Sequence, residues 1–339
     1  MTVGRAAPAT LTAGRPSDVL ARIQQPVREP LNSVTMEMER MVLHDAPLVA
    51  QMGQHLMGMR GKMFRPTLVL LCSDVEGKSE PRVVGLAAAV ELIHLATLVH
   101  DDAVDHSVLR RGMPTLNSLF SHQISVIMGD FLYSTALGKL VDAGDLEALR
   151  VLTRASTDMS VGEMRQLAVV DPLSFSEDDY YGLIRAKTAS LMSAACAVGA
   201  MCGAARYCEA LTRFGESLGM AFQIADDLID YTEQEETTGK PTGLDLREHK
   251  VTLPLIAALR EMSPANRLKV DKLFAGGEPR DGPIAEVMRM VADSGGLDYA
   301  RVRGARYAAK AEEALSGLPD TVARSALIES ISYVMERHA

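Results

Sequence analysis

An almost unbroken apolar run, VVGLAAAVELIHLATLV over residues 83–99, ends directly in His100-Asp101-Asp102-Ala103-Val104-Asp105. The run reads as a helix. Continued through the motif, it places Asp101 and Asp105 four residues apart on one face, with Asp102 flanking them. Three carboxylates at the end of a greasy helix repel one another and serve a plain core badly, whereas a divalent cation would neutralise them. Oxygen-only ligands suit Mg²⁺, which takes one or two carboxylates together with waters and phosphate oxygens. The pattern recurs in Phe222-Gln223-Ile224-Ala225-Asp226-Asp227-Leu228-Ile229-Asp230. One acidic triplet can simply mark a solvated helix end. Two, each closing an apolar helix, predict clusters that face each other across a cavity and hold several Mg²⁺ ions around one diphosphate.

The chain of 339 residues is long enough for one large domain or two ordinary ones, and it is 47% hydrophobic without a single Trp. Abundant Ala, Leu and Met with little strand-like alternation predict an all-α globule. The net charge of −9 disfavours nucleic acid as a partner. Four cysteines are too few for a disulfide scaffold of this size, and the six-residue spacing of Cys196, Cys202 and Cys208 suits neither zinc nor a redox pair. Reduced thiols follow. No stretch is a convincing membrane span; the best candidate, residues 189–205, is short and broken by Ser190 and Ser193. Residues 1–16 lack acids and an apolar signal core, and read as a disordered tail of a cytoplasmic protein.

Expected helices run over residues 17–27, 31–57, 66–75, 81–105, 115–143, 145–169, 177–203 and 206–231, with short amphipathic helices beyond 251. Asp105 to Pro114 reads as a polar loop. The stretch TEQEETTGKPTGLDLREHK over residues 232–250 is polar and unusually long for a connection, which suggests a lid. No repeat or linker divides residues 17–339, so they read as one domain.

Basic residues accompany each acid cluster. Lys62 and Arg65 are three apart at a helix start, Arg110 and Arg111 follow the first cluster, Lys187-Thr188 sits inside an apolar segment, and Lys240 lies in the lid stretch. Taken singly they read as solvated turns, a surface pair or a snorkelling lysine. Together they suggest two anion sites, one bridged by metal to carboxylates and one held directly by Arg and Lys forks.

The segments GKMFRP (61–66), ELIHLATLVHDDAVDHSVLRRGMPT (91–115), GDFLYS (129–134), Lys187-Thr188, FQIADDLID (222–230) and GKPTGLDL (239–246) occur in an order that resembles the trans-type polyprenyl diphosphate synthases. The resemblance covers about residues 30–260 and implies the isoprenoid synthase helical bundle around a central product cavity. It further implies that Asp101, Asp105, Asp226 and Asp230 ligate Mg²⁺ (three ions when diphosphate is bound), with Asp102 and Asp227 in support. An allylic diphosphate would be held with Arg110, Lys187, Thr188, Gln223 and Lys240. Isopentenyl diphosphate would bind without metal through Lys62, Arg65, His94 and Arg111, Gly61 letting the loop approach. By the same resemblance a homodimer is expected, and membrane contact is confined to product release. Met63 stands where a basic residue is usual in the family and His249 where Gly is usual.

One helical turn, about 5.4 Å, is close to one isoprene unit, so Thr97 and Ala96, then Ile93 and Ala89, are expected along the growing tail. Residues 80–105 contain no aromatic plug and the first motif has no two-residue insertion. In a chain that resembles this family, both favour a medium or long product, roughly six to ten units at one per turn. Phe131 is the candidate floor. The alternatives are a geranylgeranyl-length synthase, a regulatory subunit of a heteromeric synthase, and a class I terpene cyclase. A cyclase has no use for Lys62 and Arg65, and a subunit of the regulatory kind usually lacks one acid cluster or the lid lysine.

Overall fold

The computed structural model describes residues 16–59, 61–232, 242–277 and 279–336. The tail expected over residues 1–16 lies outside them except for Pro16, as do residues 233–241 of the expected lid, Lys240 among them. Helices α1 (Pro16–Gln24), α2 (Arg28–Val42), α3 (Pro47–Gly58), α4 (Phe64–Ser73) and α5 (Val83–Val104) lead to a small hairpin, β1 (Leu109–Arg110) and β2 (Met113–Pro114). Then come α6 (Leu116–Leu119), α7 (His122–Asp142), α8 (Leu146–Leu167), α9 (Glu177–Ile184), a π-helical segment Arg185–Ala189, α10 (Ser190–Met201) and α11 (Cys208–Thr232). The C-terminal helices are α12 (Leu244–Arg247), α13 (Leu253–Glu261), α14 (Pro264–Ala275), α15 (Asp281–Asp293), α16 (Gly296–Ala314) and α17 (Val322–Met335).

Local chemistry explains where the expected elements shift. The helix expected over 31–57 breaks at residues 43–46, because Pro47 has no amide hydrogen to continue α2 but suits the first position of α3. The helix expected over 115–143 breaks at Phe120-Ser121, where the Ser121 side chain caps α7 by accepting the Ile124 N–H at 3.3 Å. Asp145 caps α8 through the Ala148 N–H, and Ser176 and Asp179 close a capping box at α9. The expected loop 105–114 contains the hairpin. Its two turn residues, Arg111 and Gly112, both have positive φ (53° and 74°), as a two-residue type I′ turn demands.

All of residues 86–93 are buried, so this part of α5, apolar except at Glu91, is covered around its whole circumference and forms the axis of the bundle. It packs against α2, α4, α7 and α10. Each fully buried Leu or Ile here, such as Leu86, Leu92 and Ile93, contributes about 1.5–3 kcal/mol relative to exposure. By length and composition α5 and α7 could each cross a membrane, and they displace residues 189–205 as the best candidates. Helix α10 is a core element, buried from Leu191 to Ala200 except at Ser193 and packed on α4, α8 and α11. A second apolar cluster gathers α13, α14 and α15 around the C-terminal half of α11.

Candidate active site

One turn beyond its buried section, α5 emerges onto open space. His94, Thr97, Leu98, Asp101 and Asp105 share one face and line a cavity of about 700 Å³. Met159, Glu163 and Gln166 of α8 form the facing wall, beside Lys187 and Thr188 of the π-helical segment. Gln223, Asp226 and Asp227 come from α11, and Asp245 of α12 closes the side with Glu248 and Lys250 just after it. Arg65 reaches the same cavity from α4. Two acid clusters and a cationic group thus share one space.

At the acid end the carboxylates outnumber their partners. Burial pushes Asp101 up to about 6, with Lys187 drawing it down and Glu163 and Asp105 adding to the rise. Burial pushes Asp227 up to about 7 against hydrogen bonds from Tyr180 Oη (2.6 Å) and Gln223 Nε2 (2.9 Å). Gln223 Oε1 in turn accepts from Thr188 Oγ1 at 2.7 Å, so a chain of hydrogen bonds ties the π-helical segment to α11. Asp227 is nearly buried, whereas Asp226 is exposed to the cavity. Asp230 points elsewhere. Its two carboxylate oxygens accept the Leu244 and Asp245 N–H groups at 2.9 and 3.0 Å and so cap α12. Arg110 Nε bridges both oxygens of the buried Asp102 at 2.8 and 2.9 Å, and its terminal nitrogens make no described contact.

Lys187 is paired with Glu163 and donates to Gln166 Oε1 at 2.8 Å. The π-helical turn that carries Lys187 inserts an extra residue and redirects the side chains that follow it, a device common at functional sites. Among the described residues no three acids or histidines converge closely enough to hold an ion unaided. A crowded, partly protonated carboxylate wall nevertheless fits a hard divalent cation that takes one or two carboxylates and completes its shell with water and phosphate oxygens.

The cationic end is built by the hairpin and the start of α4. Because Arg110 and Arg111 are adjacent at the hairpin turn, their side chains diverge, one to Asp102 and the other to Met59 O at 2.9 Å. Gly61 makes room for the second: a Cβ there would lie 2.6 Å from both terminal nitrogens of Arg111. Met63 takes a left-handed conformation (φ 52°) before α4, and Lys62 is exposed with its ammonium 5.5 Å from the Tyr333 ring. Burial, together with Arg65, Arg111 and Arg110, holds His94 well below the usual imidazole range. His55 Nε2 lies 2.8 Å from Pro114 O and steadies the hairpin.

Of the residues expected along the tail, only Thr97 lines this cavity. Ala89, Ile93 and Ala96 lie on the buried side of α5, at most 2% exposed. Phe131 packs its ring edge-on to His44 and against the core, and is absent from the lining of this cavity.

Glu91, Glu163, Gln166, Tyr180, Asp245 and Lys250 were not among the expected site residues. A lone acid in the apolar run was a signal for Glu91. Nothing local marks the others, since the π-helical turn and the path after Gly243 decide their direction. His249 has φ +53°, which explains why glycine suits its place.

Comparison with known proteins agrees with this geometry. The polyprenyl synthetase family model matches residues 46–291. Octaprenyl diphosphate synthase of Escherichia coli is 35% identical over 94% of this chain and 99% of its own length. A decaprenyl diphosphate synthase structure from Rhodobacter capsulatus superposes with a TM-score of 0.89 at 36% identity, covering 94% of this chain and 99% of that one. A Caulobacter crescentus polyprenyl synthase, complexed with calcium and isoprenyl diphosphate, also reaches 0.89, at 34% identity and with 94% and 98% coverage. Family model, relatives and fold converge: the chain belongs to the polyprenyl synthetase family.

Proposed function

We propose that the protein is a Mg²⁺-dependent prenyltransferase that condenses isopentenyl diphosphate repeatedly with an allylic diphosphate to give a medium- or long-chain all-trans polyprenyl diphosphate. The observation that carries this is a single cavity bounded by Asp101, Asp105 and Asp226 at one side and by Arg65 and His94 at another. Asp101, Asp105 and Asp226 would hold the cation, with Asp230 contributing the lone pairs that its helix-capping bonds leave over. When bound, the cation supplies Lewis-acid stabilisation of the departing diphosphate. Lys187, Thr188, Gln223 and Lys240, with the free terminal nitrogens of Arg110, bind and orient the allylic diphosphate. Arg65, Arg111, Lys62 and His94 hold isopentenyl diphosphate beside it, which makes the attack effectively intramolecular.

The allylic C1–O bond breaks, and its electron pair leaves with the diphosphate. The double bond of isopentenyl diphosphate attacks the allyl cation through C4. A proton then departs from C2 to the released diphosphate, so no protein base is required. The apolar wall of Leu98, Met159 and Leu191 keeps water from the cation.

A homodimer built on α7 belongs to the same proposal, because Ile127 and Val141 lie on one face of that helix, 64% and 61% exposed. So does a cytoplasmic location, since α5, the more apolar of the two described helices long and apolar enough to cross a membrane, is mostly buried in the core. Incubation with Mg²⁺, labelled isopentenyl diphosphate and farnesyl diphosphate tests the reading. A ladder ending at a defined long product is expected. Absence of incorporation, or hydrocarbon release without isopentenyl diphosphate, would refute it.

A further inference from the structure

The buried stretch of α5 carries one acid, Glu91, and it is only 8% exposed. Among the described residues its Oε2 has no hydrogen-bond partner, and neither has the buried Nε of Arg65. Glu91, Gly61, His94 and Arg111 line a small cavity of about 20 Å³, which is room for one water molecule. A carboxylate in this position is costly for the fold, and an apolar or amide side chain would serve packing better. Arg65 and Arg111 repel each other across the site; burial pushes the Glu91 carboxyl up, both arginines draw it back toward its charged form, and in that form it favours both as cations. Arg110 adds further positive charge beside Arg111, and His94, held well below the usual imidazole range by burial and by the three arginines, offsets none of it.

Glu91 therefore acts on the guanidinium pair in two opposite ways. With no diphosphate present it supplies the negative charge that lets both forks stay in place. With diphosphate bound it is a buried like charge behind the ligand, and it weakens the grip. The weakening matters for repeated addition, and here the inference rests on the proposed function. When C1 of the allylic chain bonds to C4 of isopentenyl diphosphate, the lengthened chain keeps the diphosphate on the arginine side. That group has to leave the arginines and cross to the aspartates before the next condensation.

We propose that Glu91 is a positioning residue that stands in for the diphosphate between visits, keeping Arg65 and Arg111 aligned yet releasable after each addition. Two variants test it, Glu91→Gln and Glu91→Met, the second being apolar and of similar length and so suited to the surrounding core. Circular dichroism and thermal unfolding establish that they are folded. Inorganic diphosphate in the presence of EDTA is then titrated by calorimetry. Both variants are expected to bind it about tenfold tighter than the wild type, from removal of one nearby like charge. Adding Arg111→Met should abolish that gain. In elongation assays their KM for isopentenyl diphosphate falls together with kcat, and the single-addition product accumulates. Unchanged or weaker diphosphate binding by the folded variants overturns the proposal, whatever the wild type synthesises. A wild type that never elongates overturns the functional reading instead.

Discussion

Gly61→Ala is the sharpest test of the metal-free anion site. The backbone of Gly61 lies outside the left-handed region, so alanine suits it conformationally. The new Cβ, however, would sit 2.6 Å from Arg111 Nη1 and Nη2 and 2.8 Å from Cζ. Ordinary contact begins near 3.4 Å, so the guanidinium must retreat by about 0.8 Å. What gives way is the far end of a flexible side chain, so the fold should survive. What is lost is the alignment of Arg111, including its 2.9 Å hydrogen bond to Met59 O. Loss of one charge-assisted contact to a diphosphate costs about 2 kcal/mol, or roughly thirtyfold in affinity. Steady-state kinetics should therefore show KM for isopentenyl diphosphate raised about thirtyfold. KM for the allylic diphosphate should change less than threefold and Tm by no more than about 2 °C. An unchanged KM for isopentenyl diphosphate would refute the assignment of Arg111. A collapse of Tm would show that Gly61 serves packing instead.

Four further outcomes follow from the same geometry. Asp101 and Asp227 sit at about 6 and about 7 in the fold, against 3.8 ordinarily. From about pH 4 to 7 the folded chain holds protons that the unfolded chain has lost, so metal-free stability should fall across that window and level off above it. Cation and diphosphate binding should accordingly release protons at pH 6 and strengthen up to about pH 7; calorimetry in buffers of different ionisation enthalpy that detects no release would count against a cation at Asp101. Tyr180→Phe removes the 2.6 Å hydrogen bond to buried Asp227 and should lower Tm by about 2–4 °C, read by scanning calorimetry. Ile127→Asp on the exposed face of α7 should convert a dimer to a monomer in light scattering, and an unchanged mass would place any interface elsewhere. Thr97→Phe, on the cavity face, should shorten the product ladder while retaining turnover; if Ala96→Phe does so instead, the tail runs through the core side of α5.

Which parts of the site could be read from the chain depends on how far each residue's direction is fixed by its own helix. Asp101 and Asp105 inherit theirs from the period of α5, and that period also brings His94 and Thr97 onto their face. The same period turns Ile93 and Ala96 the other way. Counting turns back from the motif gives depth along the helix but not azimuth, and azimuth decides what lines a cavity. Asp226 and Asp227 are neighbours with opposite fates because a step of one residue swings the side chain by about 100°. Asp226 is exposed to the cavity, while Asp227, in its wall, is buried and bonded to Tyr180.

Other directions are set by partners distant in sequence. Asp230 turns to α12 because Gly243, with φ +71°, aims two amide groups at it. Lys187 meets Glu163 and Gln166 only because a π-helical turn interrupts what reads as continuous helix. Arg111 shows both limits at once. Its charge and place beside Arg110 are evident in the chain, yet its role depends on a left-handed backbone at the hairpin turn and on the missing Cβ of Gly61, fifty residues away. Glu91 is the residue where local rules fail most informatively. Hydrophobic patterning has no place for a carboxylate there, and the structure supplies a reason in the two guanidinium groups that approach it from α4 and the hairpin.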